Sequence, residues 1–283
     1  MIRPSLPSDE TGLKALWQVA FGDSPEAIEA FFSALYTPGM AIVWEEDGRI
    51  ASAMYLLDAG LTPLTDGTKL RTSYAYALGT LPAYRGQGLG SAVTRAVIAR
   101  SVELGFDCNV VCPAEESLFP YYKGLGYDHT LSITEDQISR FETPKFVSTN
   151  KVMSTGFSIY FQLRLALSPE CATIYTEDYL HYVEQVCTAS GGGFVQLEVD
   201  KQTCLAALDR IGDRLSIREF LPASHAEPGV RLLLDHFACQ SATLRTGIRV
   251  GTNALKQRPF VLVSYAGNQK LPPDAGYFPF VLD

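Results

Sequence analysis

The segment Thr80-Leu81-Pro82-Ala83-Tyr84-Arg85-Gly86-Gln87-Gly88-Leu89-Gly90-Ser91 limits what this chain can fold into more than any other stretch. Residues 70–81 before it read as a strand rich in Tyr and Ala. After it, Leu89, Val93, Ala96, Val97 and Ala99 fall on one side of a helix over about 89–104. Glycines at such a strand–helix junction remove side chains, so main-chain N–H groups can come close to a ligand. The first N–H groups of a helix have no internal partner, and the helix dipole makes that end positive. The assembly suits a diphosphate. Arg85 adds a charged donor or orders the turn.

Several nucleotides use such a loop, and spacing separates them. A P-loop needs Lys-Ser/Thr after its last glycine, and none follows here. In a dinucleotide fingerprint Gly86 and Gly88 satisfy the first half, but the last glycine position is Ser91. Asp107, at about the distance of a ribose-binding acid, would start its strand instead of ending it. The preceding elements also disagree with a βαβ unit. Residues 8–21 predict an amphipathic helix capped by Ser8 or Asp9, and a second helix starts after Ser24 with Pro25 in its first position. Strands then run over 40–44 and 49–57 about the Asp47-Gly48 turn, and Asp66-Gly67 leads into 70–81. This is an antiparallel meander of three strands. A short strand at 109–112, a helix at 115–125 and an extended run at 127–133 complete the first half.

The 283 residues predict one large domain or two ordinary ones, and 47% hydrophobic against 19% charged residues is a globular balance. A net charge of -8 argues against a nucleic-acid partner and tilts toward cationic ligands. The first residues form no apolar or basic leader, and no apolar run is long enough for a membrane span, so a cytoplasmic location is expected. Six cysteines without a CxxC pair read as reduced core residues. The four histidines lack metal-ligand spacing, and no metal is expected.

Arg85, Gly88 and Gly90 fit the pattern Arg/Gln-x-x-Gly-x-Gly/Ala, which resembles the CoA-pyrophosphate motif of the GNAT superfamily of acetyl-CoA-dependent N-acetyltransferases. The element order over about residues 1–135 is similar too. The resemblance implies an α/β (α+β) fold with a mixed, mostly antiparallel sheet flanked by helices, and acetyl-CoA as cosubstrate. It implies that the backbone of Leu78, Gly79 and Thr80, at the splayed end of the fourth strand, faces the thioester and pantetheine. It places the pyrophosphate on Gly86, Gln87, Gly88, Leu89, Gly90 and Ser91, with Arg85 beside them. Downstream, the segment from Cys112 to Tyr127 resembles the one that ends in Tyr-x-x-x-Gly-Phe in that superfamily, with Tyr in the last place. Tyr122, four residues before Gly126, takes the position of the family's tyrosine acid. The Asn often found earlier in that segment is Glu115.

The base is less defined. Residues 71–81 contain no acid, which leaves Asp58, Glu45 and Glu46, or the terminal carboxylate of Asp283 as in some larger relatives. Tyr74 and Tyr76 share one side of the fourth strand and either line an amine pocket or pack.

Residues 140–156 mark a boundary, giving domains 1–142 and 157–283 with a linker at 143–156. The second domain is expected to hold helices at 176–189 and 228–239, and strands near 194–199, 214–220, 243–250, 259–265 and 277–282. That order resembles a second, smaller, degenerate GNAT-like unit. Its glycine-loop position, Leu221 to Gly229, lacks the arginine and the paired glycines. Such a unit supports the fold, shapes the amine pocket or builds a contact between copies of the chain in a homo-oligomer. The expected activity is acetyl transfer from acetyl-CoA to a primary amine of a small molecule or peptide. The alternative is an acyl-CoA-binding sensor without turnover.

Overall fold

The computed structural model of the chain describes residues 1–64, 66–140, 151–170, 172–246, 257–271 and 277–282. Its first half runs β1 (Ile2–Pro4), α1 (Glu10–Phe21), α2 (Pro25–Ala34), β2 (Ala41–Glu46), β3 (Arg49–Pro63), β4 (Lys69–Thr80), α3 (Leu89–Glu103), β5 (Cys108–Val111), α4 (Phe119–Lys123) and β6 (His129–Ser139). Ser24 caps α2 by accepting from the Ala27 N–H at 3.2 Å, with Pro25 at the first helical position. Asp9 precedes α1 but does not cap it. Its carboxylate accepts from Leu6 N–H (2.7 Å) and pairs with Arg3 (2.6 Å), pinning β1 to the helix start. Ala99, expected to face inward, is exposed, and Thr94 and Ser101 are buried on α3 instead.

The second half repeats the order: β7 (Val152–Ser154), α5 (Phe157–Leu167), α6 (Glu177–Ala189), β8 (Gly193–Val199), β9 (Gln202–Ile211), β10 (Arg214–Leu221), α7 (Ala226–His236), β11 (Ser241–Thr246) and β12 (Gln257–Tyr265). All twelve strands form one sheet, ordered β1-β2-β3-β4-β5-β12-β6-β11-β10-β9-β8-β7. Within each half the first four strands run antiparallel and the fifth is parallel to the fourth. The last strands are exchanged: β12 pairs with β5, and β6 pairs with β11. The two halves are two copies of one mixed, mostly antiparallel unit, closed reciprocally at the centre of the sheet. The expected linker at 143–156 therefore does not separate independent sheets. Residues 143–150 lie outside the described residues, and Val152–Ser154 is an edge strand on β8.

One face of the sheet carries α1, α2, α5 and α6 over a core that joins both halves, including Phe31, Tyr55, Tyr74, Tyr182, Phe194 and Leu205. The other face has separate cores under α3 and under α7. β3 shows the alternation that divides them: Ala53, Tyr55 and Leu57 enter the shared core, Met54 and Leu56 the one under α3.

Residues 277–282 are not a strand. Tyr277 makes an isolated bridge to Ala172, and the rest lies buried without ladder partners. Side chains take the place of a neighbouring strand. Phe280 N–H donates to Tyr175 Oη (3.1 Å), Tyr179 Oη donates to the Phe280 carbonyl (2.7 Å), and Arg218 donates to the Val281 carbonyl (2.7 Å). Of the expected strand at 243–250, residues 247–250 lie outside the described residues.

Candidate active site

β4 and β5 run parallel from Thr72↔Cys108 to Ala75↔Val111 and then diverge, because β5 ends while β4 continues to Thr80 on β3 alone. In the pairing with β3, Ala53 opposes Gly79 and Tyr55 opposes Tyr76, so Ala77 and Leu78 together face Met54. This is a β-bulge, and Ala77 takes the left-handed conformation (φ 51°). A bulge turns main-chain groups out of the ladder, here along the open side of β4. Such strain at a sheet opening is a mark of functional sites.

Beyond Thr80 a 3₁₀ turn, Pro82–Tyr84, leads to the glycines. Gly86 (φ 78°) and Gly88 (φ 82°) are left-handed, with nothing near the place of a side chain, so it is backbone conformation that requires glycine there. The first hydrogen bond within α3 runs from Ala92 N–H to the Gly88 carbonyl. The N–H groups of Leu89, Gly90 and Ser91 precede it and have no partner in the helix. Arg85 does order the turn, donating from Nε to the Thr80 carbonyl at 3.1 Å.

A cleft of about 830 Å³ lies along this junction. Nine of the ten residues expected at the cofactor line it: Leu78, Gly79, Thr80, Arg85, Gly86, Gly88, Leu89, Gly90 and Ser91. The exception is Gln87, which is not on the lining and donates back to the Ala83 carbonyl at 3.3 Å. Sequence reasoning missed Ala20, Phe21, Tyr84 and Leu118 on this lining. The helix α1 that supplies Ala20 and Phe21 comes within 3.1 Å of where a side chain at Gly79 would begin.

A second cavity of about 420 Å³ lies behind the first, lined by Trp17, Tyr74, Tyr76, Cys112 and Leu282 among others. The two share Phe21, Leu78, Leu118 and Tyr122. Tyr74 and Tyr76 stack at 5.7 Å on this wall. Tyr121 lines only the cleft, where it accepts from Ser91 Oγ at 3.3 Å.

Tyr122 is 7% exposed and is gripped edge-on by Tyr121 (5.0 Å, 74°) and Tyr127 (5.9 Å, 90°). Tyr127 is fixed in turn by donating to Asn109 Oδ1, and Asn109 donates to Ser73 Oγ at 2.7 Å. Burial pushes the Tyr122 hydroxyl well above the ordinary phenol range, so it stays protonated at every working pH.

The acids considered from sequence are placed elsewhere. Asp58 pairs with Arg71 (3.0 Å), Glu45 with Arg3 (2.7 Å), and Glu46 accepts from Trp44 Nε1 (2.8 Å); none lines either cavity. Asp283 lies outside the described residues. Asp23, in the connection between α1 and α2, lines the second cavity, and Glu115 the first. Asp23 was legible only as an acid before a helix cap.

The second copy fills the helix-start part of its counterpart of the cleft with a side chain. Leu221-Pro222-Ala223 repeats Leu81-Pro82-Ala83, so Gly79 and Thr80 correspond to Glu219 and Phe220. The Phe220 ring lies against Gly229 of α7, where a side-chain carbon would sit 2.1 Å from it.

A splayed fourth strand feeding a glycine turn and a helix start is what the resemblance to the GNAT superfamily implied. Residues 1–130 match the family model described as Acetyltransferase (GNAT) domain. Over these residues the chain is similar to the GNAT acetyltransferases. The whole chain is similar in fold to a probable N-acyltransferase of Enterococcus faecalis V583 (TM-score 0.73, 14% identity, 94% of this chain and 72% of that one). A GCN5-related N-acetyltransferase of Anabaena variabilis gives 0.71 and 13%, over 93% and 72%. A tandem GNAT protein from the clavulanic acid biosynthesis pathway gives 0.53 and 12%, over 95% and 99%. At such identities the likeness is one of fold. No curated protein matches the chain. Among the described residues, no helix is long and apolar enough to cross a membrane.

Proposed function

We propose that this chain transfers acetyl from acetyl-CoA to a primary amine by direct attack, with both substrates bound at once. The observation that carries this reading is the meeting of two cavities at Tyr122: a long cleft along the glycine turn and a separate aromatic pocket behind it. The diphosphate rests on the amides that open α3, where the dipole and the unpaired N–H groups favour anions. Pantetheine enters the gap between β4 and β5, and the thioester reaches Leu78.

The neutral amine nitrogen attacks the thioester carbon. Main-chain N–H groups at the Ala77–Leu78 bulge face the oxygen on which charge develops. As the carbon–sulfur bond breaks, the sulfur takes the Tyr122 proton, and the nitrogen loses its extra proton toward solvent. The phenolate then recovers a proton from water, leaving amide and free CoA.

Isothermal titration with acetyl-CoA tests the cofactor half of this reading. Binding is expected for the native chain. Gly90→Val should lose about tenfold or more in affinity, because a side chain at position 90 points at Tyr121 Oη (3.4 Å) and Leu78 (3.6 Å) across the cleft. Absence of binding at millimolar ligand, or undiminished binding in the variant, removes the assignment. Thiol release with a panel of amines separates turnover from a binding-only sensor.

A further inference from the structure

Resting on that reading, we propose that the amine acceptor is a small monoamine with an aromatic or similarly bulky apolar body, and that Asp23 receives its ammonium group, which gives up a proton to solvent before the nitrogen attacks. The pocket behind Tyr122 is walled by rings. Trp17 meets Tyr76 edge-on at 5.7 Å, and Tyr74 stacks on Tyr76. Among its described lining residues Asp23 is the one charged group. The Asp23 carboxylate accepts from Trp17 Nε1 at 2.7 Å, which orients it and leaves its other oxygen for a ligand. Phe21, two positions earlier, lies on both cavities. The Asp23 side chain is exposed to solvent as well as part of this lining, so an ammonium group held there keeps contact with water.

This set of groups discriminates by charge. One carboxylate neutralises one ammonium, and ring faces add cation–π attraction beside it. A polyamine or an aminoglycoside brings further ammonium groups, and each would lose water against rings with no second acid among the described lining residues. About 420 Å³ suits a compact ligand body.

The test is thiol release by the full chain from acetyl-CoA with phenethylamine, spermidine, kanamycin and a short peptide with a free N-terminus. Phenethylamine is expected to lead in kcat/KM by about tenfold or more. Asp23→Asn should raise its KM by about tenfold, while acetyl-CoA affinity stays unchanged because Asp23 does not line the cofactor cleft. Preference for spermidine, kanamycin or the peptide overturns the proposal, as does an unchanged KM in Asp23→Asn. Acetyl-CoA binding without thiol release for any of the four also overturns it. Failure to bind acetyl-CoA at all is a different result, and it removes the acetyltransferase reading itself.

Discussion

Tyr122→Phe is expected to lower turnover by about two to four powers of ten, the usual worth of a positioned proton donor, with acetyl-CoA affinity nearly unchanged. The substitution removes one oxygen and keeps the ring, so the edge contacts to Tyr121 and Tyr127 survive. The leaving thiolate then has no fixed donor at the junction of the two cavities. Because burial holds the phenol protonated, the native enzyme should show no loss of its acid through neutral and mildly alkaline pH. Steady-state thiol release, together with titration of acetyl-CoA into both proteins, checks the split. Equal turnover in the variant would pass the proton to water or to another group.

The largest expected loss of stability lies far from the cleft. Arg164, 2% exposed, binds Glu219 through two parallel hydrogen bonds of 2.8 and 2.9 Å, and its remaining nitrogen donates to the Thr173 carbonyl at 2.9 Å. Tyr160 Oη completes the cage, donating to the same carboxylate at 2.9 Å. Arg164→Leu should destabilise the chain by about 3–5 kcal/mol, since it leaves a carboxylate in the core without its cation. Adding Glu219→Leu should recover part of that loss, because no buried charge then remains, while the Tyr160 hydroxyl and the Thr173 carbonyl lose these partners. Urea unfolding of the single and double variants measures both. A single variant within about 1 kcal/mol of the native chain would mean that water reaches Glu219.

The lining of the long cleft was legible because it depends on spacing. Glycines at 86, 88 and 90 between a strand and a helix leave few chemistries, and the backbone conformation at Gly86 and Gly88 accounts for two of them. Tyr122 was legible by its distance from Gly126 and by likeness to a family segment. The acceptor pocket was not, because it draws single residues from α1, β4 and the chain's last buried segment, which only the folded topology brings together.

In the second half the misses have local causes. β9 follows a turn whose left-handed residues are Asp200 and Lys201 instead of glycine, and its residues 204–208 are buried on both faces, so it shows no alternation. α5 reads Phe-Ser-Ile-Tyr-Phe-Gln-Leu-Arg-Leu-Ala-Leu, where aromatic and branched residues mimic a strand. The repeat itself was faint because the second copy kept the element order but exchanged a cleft-lining Gly-Thr for Glu-Phe.

The reciprocal placement of β6 and β12 bears on how the gene can be divided. A polypeptide stopped at residue 142 would carry a β5 with a naked edge and a β6 stripped of both neighbours, an invitation to self-association. Neither half closes its sheet alone, so any division of the gene has to keep each crossing strand with the half it completes.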